Sequence, residues 1–104
     1  MFKTPWYDKA LIRSEDGFSL RWGQDWATYE ENGRKLTLTI DVGGSGATIF
    51  LDTISRWDDN PSEVVDAATQ RRIAGNVLSA LTWKGFSAEV IAGGPGPDGR
   101  SQPR

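Results

Sequence analysis

The sequence predicts an α+β fold: an antiparallel meander of about five strands with one long helix packed across one face. Three observations carry this. Turn signals punctuate the first half at short intervals, side chains between them alternate with a period of two, and the second half switches to a helical period near Asn60.

The turns come first. Asp16-Gly17, Gly23-Gln24-Asp25, Asn32-Gly33 and Gly43-Gly44-Ser45-Gly46 separate runs of five to nine residues. Asn32-Gly33 is the strongest, because a type I′ hairpin turn needs positive φ at both central residues. Within the runs, Leu36, Leu38, Ile40 and Val42 share one face, and Thr37, Thr39 and Asp41 the other. Phe18, Leu20 and Trp22 repeat the pattern, as do Ala47, Ile49 and Leu51. Half-buried strands are therefore expected at 9–14, 17–22, 25–31, 34–42 and 46–51.

Asn60-Pro61-Ser62-Glu63 then reads as a capping box with Pro at the first helical position. Val64, Ile73, Val77, Leu78 and Leu81 recur at helical spacing, so one helix is expected over about 62–84, with Ala67-Ala68 as the place for a break. Gly85 is the natural stop, with Phe86 returning to Leu81 as in a Schellman end. Ser87 to Ile91 reads as a short final strand. Residues 93–104 carry no apolar side chain and read as a disordered Gly/Pro-rich tail, which leaves 1–92 as a single domain. One helix covers one side of the sheet, so the opposite face is expected to stay partly open.

Composition narrows the chemistry. The chain has no Cys and no His, so it lacks thiol catalysis, Cys ligands and the commonest general base. Ser14, Ser19, Ser55 and Ser79 have no His to activate them. The Gly43–Gly46 run leads into a strand rather than a helix N-terminus, unlike a phosphate loop. No catalytic residue, cofactor or metal site is assigned. A net charge of −2 argues against a dedicated duplex-DNA binder. The N-terminus has no signal-peptide pattern and no window is long and apolar enough to cross a bilayer, so a cytoplasmic protein with no membrane partner is expected.

Five Trp residues are unusual in a chain of 104. Trp22 continues the Phe18-Leu20 stripe and is expected in the core. Trp57 stands between Arg56 and Asp58-Asp59, on a connection of the kind where binding residues concentrate. Asp58, Asp59 and Glu63 are placed to complement the positive end of the expected helix, or to meet a basic partner. Arg34-Lys35 and Arg71-Arg72 are the adjacent basic pairs, and they read as solvated faces; nothing three or four positions from Arg72 offers a carboxylate.

Trp22-Gly23 to Trp26, Asn32-Gly33-Arg34 with Leu36-Thr37-Leu38, Ile54-Ser55-Arg56-Trp57-Asp58-Asp59 and the helix into Gly85-Phe86 together resemble small immunity proteins of bacterial polymorphic toxin systems. The nearest group is immunity protein family seventy-four. The similarity spans residues 15–91 and leaves out Pro5-Trp6-Tyr7 and the tail. It implies a cytoplasmic protein that binds a cognate toxin domain and blocks it by occlusion, so no catalytic residues carry over. The expected contacts are Trp57, Asp58 and Asp59, then Trp26 and Tyr29. The second reading is a small domain that binds single-stranded nucleic acid by stacking, against which Glu30, Glu31 and the Asp run break any continuous positive groove.

Overall fold

Strand pairing organises the chain, which is described here from a computed structural model covering residues 1–92. The strands are β1 (Phe2–Lys3), β2 (Leu11–Ser14), β3 (Phe18–Trp22), β4 (Trp26–Glu31), β5 (Arg34–Gly43), β6 (Gly46–Phe50), β7 (Arg56–Trp57), β8 (Asn60–Val64) and β9 (Ser87–Ile91), with one α-helix, α1 (Ala67–Lys84), and a single 3-10 turn at Leu51–Thr53 among the described residues. A curled seven-stranded sheet runs in the order β1-β2-β3-β4-β5-β6-β9, and β7 and β8 form a separate hairpin. Neighbours are antiparallel through β6. The chain then crosses over through α1, and β9 joins β6 in parallel. The expected tail at 93–104 lies outside the described residues.

The Asn32-Gly33 turn behaves as its chemistry demands, with φ of 52° and 77°. Alternation delivers the core: Ile12, Leu20, Ala27, Tyr29, Leu36, Leu38, Ile40 and Ile49 face α1, whose Ile73, Ala74, Val77, Ala80 and Leu81 fill the other side. Trp22 packs against this core, edge-on to Phe86 with ring centroids 5.1 Å apart. The ten-residue β5 is shared. Its first part pairs with β4, and its last four residues pair with β6.

The helix ends as expected. Gly85 takes φ of 115°, its N–H donates to Thr82, and the Phe86 N–H donates to Leu81 at 3.0 Å. Its start is a correction. Asn60-Pro61-Ser62-Glu63 is not a capping box but the body of β8, which folds back on β7. Arg56 donates to the Pro61 carbonyl and the Val65 N–H donates to Ser55, and these bonds hold the segment extended. Val65, not Val64, is the buried residue.

The cap is Asp66, whose carboxylate accepts the Thr69 N–H at 2.7 Å. That N–H holds the carboxyl below its ordinary range. Asp66→Ala is expected to lower the thermal midpoint and fray the first turn, and Asp66→Asn to restore most of the loss. Thermal melts followed by circular dichroism check both.

Candidate protein-binding surface

The helix covers one face of the sheet, and among the described residues nothing covers the face turned away from it. Its side chains lie in register across the strands. One row runs Leu11, Arg21, Thr28, Thr37, and the next runs Arg13, Ser19, Glu30, Lys35. Trp26 lies opposite Thr39, and farther along β5 the row Asp41, Thr48, Glu89 crosses β6 to β9. Trp26 is the aromatic side chain of these rows and stays 49% exposed, its ring lying over Gly23. A groove of about 510 Å³ between Leu11, Arg13, Arg21, Glu30 and Gly33 opens on the β2–β4 side. Trp6 and Tyr7 are exposed beside it: Arg13 reaches the Tyr7 hydroxyl and Arg21 pairs with Asp8.

The acidic connection plays a structural part that its sequence does not announce. Where β6 leaves β5, the backbone edge of β5 at Lys35–Thr39 would be unpaired. The connection supplies substitutes. The Thr53 hydroxyl accepts the Thr39 N–H at 2.9 Å, one Asp58 carboxylate oxygen accepts the Thr37 N–H at 3.2 Å, and the other accepts the Thr37 hydroxyl at 2.9 Å. The Asp58 N–H then donates to the Lys35 carbonyl at 2.8 Å. Asp58 thus plugs a strand edge at the margin of the open face.

Asp59 and Glu63 turn the other way and converge on Arg34. Glu63 takes two guanidinium N–H groups, at 2.8 and 3.0 Å, and Asp59 takes one at 3.3 Å. The same guanidinium lies 4.6 Å from the centre of the Trp57 ring, which is 94% buried beneath it. The expected role of Asp58, Asp59 and Glu63 at the helix N-terminus is therefore corrected, since α1 begins at Ala67, beyond the hairpin that holds them. Arg34 is likewise no solvated strand residue.

Tyr29 is fully buried. Its hydroxyl donates to Glu31 at 2.6 Å and accepts from the Asn76 amide at 2.9 Å, while Arg72 grips both oxygens of Glu31 at 2.7 and 2.8 Å. This network ties β4 to α1, and it gives Arg72 the carboxylate partner its own helix lacks. Of the five expected contact residues, Trp26 and Asp58 reach the open face, Asp59 lies on the opposite rim, and Trp57 and Tyr29 are interior.

The network makes stability pH-dependent at both ends. Arg72 holds the Glu31 carboxyl below its ordinary range, so the stabilisation is present above the unfolded value of about 4.3 and fades as pH falls through the lower folded value. Burial, helped by Glu31, pushes the Tyr29 phenol up to about 12. The folded state keeps that proton while the unfolded chain releases it from about pH 10, so stability falls as pH rises between the two values. Urea midpoints measured from about pH 8 to about pH 11 are expected to fall for the native chain. Tyr29→Phe should start lower, having left Asn76 without its acceptor, and decline less steeply.

Against known proteins the chain finds no match: no family model fits it, and neither a curated protein nor a solved structure aligns with it.

Proposed function

We propose that this chain is a non-catalytic binding protein that neutralises a cognate toxin domain by covering it, in the manner of the cytoplasmic immunity proteins its sequence resembles. The observation that carries the reading is Trp26, held half-exposed on an open sheet face with threonines beside it and charges of both signs farther out. A rigid aromatic anchor inside a polar surround is the usual layout of a protein interface, where a few such residues supply most of the affinity. Asp58, fixed at the margin of that face by Thr37, adds an acidic contact.

Single-stranded nucleic acid is the competing occupant, favoured by Trp6 and Tyr7 beside Arg13 and Arg21. Asp8 and Glu30 offset those cations where a phosphate chain would need them free. The test is co-purification of the tagged chain with the C-terminal domain encoded by the adjacent upstream gene, beside a single-stranded DNA control. A one-to-one complex that survives high salt is expected. No protein complex, with DNA retention that falls log-linearly as salt rises, would overturn the reading.

A further inference from the structure

A sheet with open ends exposes unpaired backbone groups, and folded proteins usually block them. Among the described residues, all such edges but one are blocked. At one end of the sheet, β1 is only two residues long and includes Lys3. The exposed β8 contains Pro61 and pairs with β7 through a bulge. The unpaired stretch of β5 is plugged by Thr53 and Asp58. At the far end, β9 is five residues, Ser-Ala-Glu-Val-Ile, with no Pro, no Lys and no bulge, and among the described residues nothing pairs with its outer edge.

The groups on that edge can be named. Ser87 donates its N–H to Ser45 at 2.7 Å, so Ser87, Glu89 and Ile91 turn their backbone groups toward β6. By alternation, Ala88 and Val90 turn theirs outward.

We infer that this edge is a β-augmentation site, taking an extended basic segment of the protein partner as an eighth strand. The inference rests on the protein-binding reading above. Backbone bonds to Ala88 and Val90 would give the affinity, and charge selects the occupant. Glu89 stands on β9, Asp41 lies two strands away in the same row, Thr48 sits between them, and neither β6 nor β9 carries a basic residue. A shallow hollow of about 230 Å³ between Asp41, Thr48 and Glu89 leaves room for a long cationic side chain. A second copy of this chain fits less well. Antiparallel pairing of β9 with itself about its centre would place Glu89 against Glu89, and like charges directly opposite are destabilising.

The probe is a synthetic heptapeptide of alternating lysine and valine, with a glutamate–valine heptapeptide as control, read by amide hydrogen exchange of the intact chain. The lysine peptide is expected to slow exchange at Ala88 and Val90 at least about tenfold, corresponding to a site mostly occupied at saturation. The glutamate peptide should not, and Glu89→Lys should reverse the preference.

Val90→Pro removes one outward N–H while sparing the bonds to β6, since proline is tolerated on that side of an edge strand. It is expected to abolish peptide binding with the fold retained by circular dichroism. Wild-type peptide binding by Val90→Pro, or protection of the Glu89 amide in place of Ala88 and Val90, would overturn the assignment. So would concentration-dependent dimers that Val90→Pro dissolves. If Val90→Pro still joins the upstream-encoded domain at native affinity, the edge assignment fails and the protein-binding reading stands; absence of any complex with the native chain defeats that reading itself.

Discussion

Trp57→Ala is expected to destabilise the chain by about 3–5 kcal/mol, the usual result of emptying a buried aromatic site that cannot collapse. Domains of this size are stable by only about 5–15 kcal/mol, so the variant should lie close to its unfolding threshold at 37 °C. The cause lies in what surrounds the ring. Trp57 is 94% buried in the core that Ile54 and Val65 share, with the Arg34 guanidinium closing over it. Removing the indole leaves a void and takes the lid's contact away, and with it one reason for Arg34 to hold Asp59 and Glu63 together. Trp57→Phe should recover more than half of the loss. Urea unfolding of both variants checks this: the midpoint should shift and the slope stay unchanged. A Trp57→Ala chain as stable as the native one would mean the residue is not the hairpin's anchor. Any loss of partner binding by this variant reports folding rather than contact.

Trp26→Ala should do the opposite. Its side chain is half-exposed, with the ring over the Gly23 turn, so unfolding free energy is expected to change by no more than about 1 kcal/mol. Affinity for the upstream-encoded domain should fall by about 2 kcal/mol or more, roughly thirtyfold, as at other aromatic hot spots. Trp83 is the control. It is 42% exposed but on the helix, its ring tilted against Phe2 with centroids 5.7 Å apart, away from the open face. Trp83→Ala should leave affinity unchanged. Titration calorimetry distinguishes the two, and a reversed ranking would move the interface to the helix side.

These two tryptophans mark how far local pattern reaches. The sheet from β2 through β6, the type I′ turn and the Gly85 helix stop were legible because each depends on residues within a few positions of one another, whereas the two-residue β1 was not expected. The helix start was not. Asn-Pro-Ser-Glu satisfies a capping box and an edge strand equally well, and what decides is its pairing with β7, to which Glu63 adds a contact with Arg34, 29 residues earlier in the chain. The pairs Glu31–Arg72 and Thr37–Asp58 depend in the same way on which strands become neighbours. The plugged edge of β5 exists only because β6 departs midway.

The expected contact set did contain a legible conflict. Trp26 and Tyr29 are three residues apart on one strand, so they point to opposite faces and cannot meet a partner together. Counting from Ala27 would have assigned Tyr29 to the core. Trp57 offered no such signal, since a two-residue strand has no period to read.

If the chain neutralises by covering, the captured domain's own activity must disappear in proportion to the chain added. The decisive measurement is therefore a titration of that activity with the purified chain at concentrations well above the dissociation constant. A linear fall to zero at one equivalent, with the Trp26→Ala chain requiring a large excess, is the expected result. Full activity in a saturated one-to-one complex would contradict occlusion.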